Sequence, residues 1–526
     1  MQKLSQTAFL SADIIKNSPF KCRYYYIFVN IAPLSAEIHM KSNLPEILYS
    51  SSIPSESQKI IKLLKRKQIR KILPKAYTSN FEDEDAIIVN RHLFPLISRH
   101  YPGSLISYRT AIEYTISPKS NIYLTTTQNR VVKWPGVTLK FTKGHGPLEN
   151  DNPLYKDVYV TSQERTLLEN LSFSRAAGGE LKTLPVEIIE EKLLLILNKG
   201  GEKNLNEFRD KAKEISELLG LNKEFDLLNK KIGALLSTKP TKILTSAAAK
   251  AQSYGEPYDP IRLNLFQKLS GVLRNSVFKQ HQENAKNAEA FKTFAFFESY
   301  FSNYIEGTTF EIEEAIDIVY KNQLIPNRMG DTHDVKGTFE ICSDNFEMKR
   351  AGSTPKEFIE LLQSRHAVIL GGRPDKEPGL FKEIANRAGD SHFVLPKMVK
   401  GTLKAGFEGL ASIPTALGRA MYMMFLISEV HPFNDGNGRI ARIMMNSELV
   451  QSKEQRIIIP TVYRDDYIGG LKKLTKKQNP DVYIAMMERA HEFSFWLQPD
   501  DFDNMLNQLK SSNALEESHN GVLKWQ

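Results

Sequence analysis

The strongest constraint on what this chain can fold into is one corner, His431-Pro-Phe-Asn-Asp-Gly-Asn-Gly-Arg-Ile-Ala-Arg442, set between two apolar helical stretches. IPTALGRAMYMMFLISEV, before it, is apolar on most faces, and RIARIMMNSELV, after it, carries apolar residues at helical spacing, so both belong in a core. Gly436-Asn437-Gly438 between them is a turn that only small or left-handed-tolerant residues can follow. Such a turn, opening directly onto a helix, aims unpaired backbone N–H groups and the helix dipole at one spot, where phosphate oxygens bind. Arg439 and Arg442 lie one turn apart, and both can reach the same polyphosphate through guanidinium forks. Asp435 offers a hard oxygen ligand for Mg²⁺, and His431 can accept a proton near neutral pH. Taken singly, each residue has an ordinary structural explanation. A base, a metal ligand, an anion nest and two clamps in one run do not.

These residues resemble the Fic family signature, HPFx(D/E)GNGRxxR, and every fixed position is met. The resemblance implies a helical Fic fold over 259–500 and a protein adenylyltransferase that moves AMP from ATP to a Ser, Thr or Tyr hydroxyl of a target protein or of itself. It implies His431 as general base, Asp435 on Mg²⁺, Gly436, Asn437 and Gly438 on the phosphates, and Arg439 and Arg442 on the β- and γ-phosphates. Doc-like kinases of the family carry Lys where Gly438 stands, so Gly438 favours AMP transfer, with another nucleotide donor left open.

Two further stretches take meaning from this resemblance. GLFKEIANRAGDSHFVLP reads as β-prone material turning at Gly389-Asp390. It is similar to the family's flap, a hairpin whose edge aligns a target segment by strand addition, with Ser391, His392, Phe393 and Val394 as its residues. Upstream, Ser302-Asn-Tyr-Ile-Glu306-Gly307 resembles the family's inhibitory motif, (S/T)xxxE(G/N), in the class whose inhibitory helix precedes the signature; that helix is expected over about 292–307. Glu306 would then occupy the Arg442 guanidinium and misalign ATP.

The rest of the chain is less telling. A length of 526 residues suggests two to four domains, and 41% hydrophobic with 25% charged residues is a globular composition. The net charge of +9 is compatible with ATP or nucleic acid as partner. Cys22 and Cys342 form no disulfide framework, no apolar run is long enough to span a bilayer, and a cytoplasmic protein is expected. Residues 1–39 fit no pattern and stay unassigned. From Lys59 to Lys75 there are eight Lys or Arg and no acid, on apolar positions Ile60, Ile61, Leu63, Leu64, Ile69, Ile72 and Leu73. This predicts a basic helix with Ser55 as N-cap, ended by Pro74. It suits a winged helix-turn-helix over 40–80 whose Lys65, Arg66, Lys67 and Arg70 contact the phosphates of double-stranded DNA.

An α+β unit with a helical tail is expected over 81–237, from β-like runs such as SNIYLTTTQNRVVKW and from VEIIEEKLLLILNKG and NEFRDKAKEISELLGL, the last closing on Gly220. LISYRTAIEY and VYVTSQERTLLENL resemble AbiEi-type antitoxin regulators, which carry a winged helix-turn-helix and an α+β domain. A linker is placed at 238–258 and a C-terminal tail at 501–526. The fold class is therefore multidomain: an all-α Fic fold with a hairpin flap, preceded by a winged-helix and an α+β domain. Function follows as an autoinhibited adenylyltransferase, with a DNA-binding toxin–antitoxin regulator carrying a fused Fic switch or toxin as the alternative. A homo-oligomer is compatible with either.

Overall fold

The computed structural model describes residues 44–176, 179–237 and 242–525. The segment 1–39 and the first residues of the expected linker, 238–241, lie outside the described residues. The chain divides at Gly233/Ala234 into two compact units.

The first unit opens with a small three-stranded antiparallel sheet, β1 (Ile47–Tyr49), β2 (Arg70–Leu73) and β3 (Ala76–Thr78), in the order β1-β3-β2, with helix α1 (Pro54–Lys65) between β1 and β2. The long basic helix expected here is corrected. The helix stops at Lys65 because Arg66 caps it and Lys67 turns left-handed at φ 56°; Ile69 follows in the turn, and Ile72 and Leu73 lie in β2. Ser55 is not the N-cap either: Ile53 holds that position and Pro54 starts the helix, where a missing N–H costs nothing.

A six-stranded mixed sheet follows: β4 (Leu105–Ile106), β5 (Asn121–Thr126), β6 (Arg130–Trp134), β7 (Val137–Lys143), β8 (Asn152–Tyr155) and β9 (Val158–Val160). Its order is β6-β7-β5-β4-β9-β8, with β5–β7 and β4–β9 parallel and the other pairs antiparallel. β7 alternates buried Val137, Leu139 and Phe141 with half-buried partners, the period of a strand with one face in a core. Helix α2 (Gln163–Leu171) is capped by the Ser162 hydroxyl, which accepts from the Arg165 N–H. Helix α3 (Val186–Leu219) joins both predicted helical stretches, breaks its geometry at Gly201 and closes on left-handed Gly220.

Among the described residues the second unit is mainly helical, with one β-hairpin. Its core-forming helices include α4 (Pro260–Asn275), α5 (Ala288–Ile305), α6 (Met329–Ser343), α7 (Pro355–Ile369), α8 (Ala416–Val430), α9 (Asn437–Gln451) and α10 (Asp481–Trp496). α8 and α9 are almost wholly buried, α8 because it is apolar on most faces, and α9 although it carries Arg439, Arg442, Asn446 and Glu448. The hairpin pairs β10 (Arg387–Ala388) with β11 (Ser391–His392) across Gly389, whose φ of 56° needs a residue tolerant of the left-handed region. Part of the expected linker is ordered as a short helix, Ala247–Ser253, capped by Ser246. Residues 501–525 belong to the core of this unit rather than trailing from it: helix α11 (Phe502–Ser511) buries Met505 and Leu509, and Leu523 is buried beyond it. The Phe502 ring packs on Phe296 and Phe297 of α5. No helix among the described residues is long and apolar enough to cross a membrane.

Candidate active site

The site is assembled where α8 ends and α9 begins. His431 caps α8 in the left-handed conformation, φ 52°, an uncommon one for a side chain with a Cβ. The imidazole Nδ1 lies 3.3 Å from the Ser428 carbonyl oxygen. A carbonyl can only accept, so Nδ1 carries the proton of the neutral ring and Nε2 keeps a free lone pair. The ring of Phe393, just past β11, stacks on it at 3.8 Å with an interplanar angle of 5°. Burial, reinforced by the Lys382 charge, lowers the His431 pKa to about 4, against opposing pulls from the Ser428 carbonyl, Glu306 and Asp435. The imidazole is therefore neutral at physiological pH.

The turn after His431 is held by its own backbone. The Asn437 side chain clasps Phe433, accepting from its N–H at 2.9 Å and donating to its carbonyl at 2.9 Å. That side chain is a structural brace, leaving backbone N–H groups as the donors the turn can offer. Gly436 is left-handed, φ 70°, and a Cβ there would come within 3.3 Å of His366 Nε2 and 3.2 Å of a Leu370 methyl. The Asp435 carboxylate accepts from the Gly436 N–H at 2.7 Å, and its side chain is 41% exposed, so outward lone pairs remain for a cation.

Glu306 lies at the C-terminal end of α5, as the motif at Ser302-Asn-Tyr-Ile-Glu306-Gly307 requires, and Gly307 takes φ 92° to turn the chain away. Arg442 Nη2 donates to Glu306 Oε1 and to the Ser302 carbonyl, each at 2.8 Å, while Nε donates to the Ser302 hydroxyl at 3.0 Å. Burial works to depress the Arg442 pKa, but Glu306 and Tyr467 hold it above the ordinary value. The same Glu306 carboxylate sits against the first turn of α9, with Oε1 only 2.0 Å from where a Cβ on Gly438 would stand. An anion already occupies the helix N-terminus.

Arg439 is engaged differently from Arg442. It is buried and ion-paired with Asp334 of α6, whose Oδ2 also accepts from Arg373 Nε at 2.8 Å; Arg439 Nη2 lies 3.5 Å from Asp435. Burial raises the Asp334 carboxyl above its ordinary range, against the pull of both arginines. In this conformation both arginines of the signature are held by carboxylates of the chain itself.

Two residues that sequence reasoning passed over complete the site. His366 of α7 stacks on Phe433 at 3.6 Å, donates from Nε2 to the Asp435 carbonyl at 3.0 Å and accepts at Nδ1 from the Gly379 N–H at 2.9 Å. Lys382 is buried beneath the hairpin. Neither stood out as sequence, since a lone His or Lys carries no periodic or spacing signal. Among the expected flap residues, Phe393 reaches His431, Val394 is fully buried, and the His392 carbonyl accepts from Arg262 at 2.5 Å. Ser391 pairs with Ala388 within the hairpin.

The expected DNA contacts stand apart in the first unit. Lys65, Arg66 and Lys67 are exposed. Arg70 is instead spent inside the fold, ion-paired with Asp85 and donating to the carbonyls of Asn80 and Asp83 at 3.1 and 3.0 Å. Between residues 44 and 80 the structure holds one helix.

Residues 358–449 match the family model described as Fic/DOC family. A stretch of 211 residues is 24% identical to protein adenylyltransferase Fic of Drosophila erecta, covering 38% of this chain and 41% of that protein. Another of 177 residues is 25% identical to protein adenylyltransferase fic-1 of Caenorhabditis elegans, covering 32% and 34%. The chain thus spans well under half the length of these curated relatives. Among solved structures, a Fic domain containing signaling protein from Bacteroides thetaiotaomicron aligns at a TM-score of 0.35 and 16% identity, over 44% of this chain and 95% of that one.

Proposed function

We propose that this chain is a protein adenylyltransferase held in an autoinhibited state by Glu306, with His431 as its general base. The observation that carries the reading is the pairing of Glu306 with Arg442 beside Gly438, which puts an internal carboxylate where a nucleotide phosphate would bind. The names of the two curated relatives support AMP as the group transferred.

In the transfer, His431 Nε2 takes the proton from a Ser, Thr or Tyr hydroxyl of the target as that oxygen forms its bond to the α-phosphorus of ATP. The bond from the α-phosphorus to the bridging oxygen breaks in line, and pyrophosphate leaves. A base of depressed pKa is unprotonated at neutral pH, and the hydroxyl proton is lost only as the oxygen bonds to phosphorus. The first-turn N–H groups of α9 and the guanidiniums of Arg442 and Arg439 bind the phosphates once their carboxylate partners yield. One partly exposed carboxylate beside a phosphate nest is a donor set that fits Mg²⁺, which commonly takes one or two protein oxygens and completes its shell with phosphate and water. Asp435 would hold it, and the ion would supply charge neutralisation on the leaving pyrophosphate. The β10–β11 hairpin serves as the flap that aligns the target segment.

The deciding experiment compares labelling by α-³²P-ATP and γ-³²P-ATP in the Glu306→Gly protein with Mg²⁺. Label from the α position alone, lowered ~10²–10⁴-fold by His431→Ala, is expected for a general base. Label from the γ position would replace adenylyl transfer by phosphoryl transfer, and full activity in His431→Ala would end the mechanism.

A second role for the first unit is favoured by one observation: Lys65, Arg66 and Lys67, consecutive at the end of α1, are all exposed. They suit contact with a phosphate backbone of double-stranded DNA in a regulator of the antitoxin type. Binding that weakens steeply with salt, and falls in the triple alanine variant, is expected; no binding at low salt would remove this role.

A further inference from the structure

Lys382 is 2% exposed, an unusual place for an ammonium group. Its Nζ donates to Asn386 Oδ1 at 2.6 Å and reaches the Val430 carbonyl at 3.5 Å, while its backbone N–H donates to the Pro432 carbonyl at 2.9 Å. Asn386 in turn donates from Nδ2 to the carbonyls of Phe433 at 3.0 Å and His431 at 3.5 Å. Because an ammonium can only donate, Lys382 fixes which end of the Asn386 amide faces it, and so turns the NH₂ towards the His431 turn. The backbone carbonyl of Asn386 accepts from the Phe393 N–H at 3.4 Å, and the Phe393 ring covers His431. Of the carbonyls from Val430 to Phe433, at and just beyond the left-handed end of α8, three meet donors from the Lys382 or Asn386 side chains, Phe433 sharing its oxygen with Asn437.

We propose that Lys382 and Asn386 are positioning residues for His431: the pair locks the left-handed turn that presents the imidazole. The proposal rests on the reading of His431 as the base. Two effects follow from one cation. It satisfies carbonyls at the C-terminal end of α8, where positive charge is favoured. It also opposes protonation of the neighbouring ring, to which it adds a downward pull on the pKa. Burial and Lys382 lower the His431 pKa, while the Ser428 carbonyl, Glu306 and Asp435 raise it; Lys382 itself is pushed down to about 7 by burial and by Arg262 of α4. It therefore carries its charge throughout the acidic range in which His431 titrates.

The test uses the full chain in three variants, Lys382→Met, Lys382→Arg and Asn386→Asp, read by histidine NMR and by α-³²P-ATP labelling in the Glu306→Gly background. The His431 signal is assigned by its loss in His431→Ala. In Lys382→Met the His431 midpoint should rise towards the ordinary value of ~6.5, and the acid limb of kcat should move to higher pH with it. Lys382→Arg, which keeps the charge, should hold that limb nearer its original position. Misplacement of the base should lower kcat ~10–100-fold with KM for ATP retained. A folded Lys382→Met protein with an unmoved His431 midpoint and unchanged kcat overturns the proposal. Should Lys382→Met not fold, Asn386→Asp decides: it keeps a partner for Lys382 but faces the turn's carbonyls with an acceptor, and unchanged kcat there is equally fatal. Absence of any α-label in the Glu306→Gly protein would overturn adenylyl transfer instead, while the NMR midpoint would still judge Lys382.

Discussion

Glu306 Oε1 lies 2.8 Å from Arg442 Nη2 and stands against the first turn of α9 at Gly438, so one carboxylate meets both a buried guanidinium and a helix N-terminus. Arg442 does not depend on Glu306 for its position, because the Ser302 hydroxyl and carbonyl hold the guanidinium independently. Glu306→Gly should therefore free the charge without displacing it. Transfer of α-label is expected to rise ~5–150-fold, the usual range for an internal coupling. Thermal stability should fall at the same time, by ~2 kcal/mol for a lost charged hydrogen bond. A gain in activity with a loss in Tm is the signature of a brake; loss of both would mean that Glu306 only supports the fold.

Asp334 has the complementary task at Arg439. Its carboxylate is fully buried between Arg439 and Arg373, so Asp334→Ala takes the main partner from the buried Arg439 guanidinium. Chemical denaturation should show a loss of ~3–5 kcal/mol, the cost of breaking a buried pair. Asp334→Asn, which keeps the shape, should cost less than Asp334→Ala.

His366 joins α7 to the signature turn by a ring stack on Phe433 and a hydrogen bond to the Asp435 carbonyl, and accepts a second bond from the Gly379 N–H. His366→Ala should lose ~3 kcal/mol of stability, as for a buried group with several partners. Transfer should slow as well, since the Asp435–Gly436 peptide loses its anchor. Denaturation and labelling of the same variant check the two effects separately.

Acid should weaken the helical unit in a defined window. His366, His431 and His491 each have pKa values lowered to about 4 by burial, against ~6.5 in an unfolded chain. Above pH ~6.5 both states hold these rings neutral; as pH falls towards 4 the unfolded chain takes up protons that the folded one refuses, and stability declines. His491 lies away from the signature and bonds through Nε2 to the Gln455 carbonyl. His491→Gln can keep that donor, and a plot of Tm against pH should be shallower for it between pH 6.5 and 4.

The corner from His431 to Arg442 was legible because its chemistry is local: consecutive residues build the turn, the nest and the spacing of the arginines. The apolar stretch of α8 was equally legible, since a helix buried on nearly every face leaves a near-continuous apolar sequence. Reading Lys59 to Lys75 as one helix failed for the opposite reason. Ile69, Ile72 and Leu73 continue a helical spacing on paper, but the left-handed Lys67 and a sheet partner in β3 claim β2 as a strand.

By itself the sequence determined which residues could do chemistry at one corner and which motif, 125 positions earlier at Glu306, could oppose it. Tertiary structure alone decided the partners. Asp334 and Arg373, His366 and Phe433, Phe393 and His431 meet through packing of helices and hairpin, over separations at which sequence carries no geometric trace. Tertiary structure also decided charge state, because the low pKa of His431 comes from burial and the Lys382 ammonium, neither of which exists until the core closes over them.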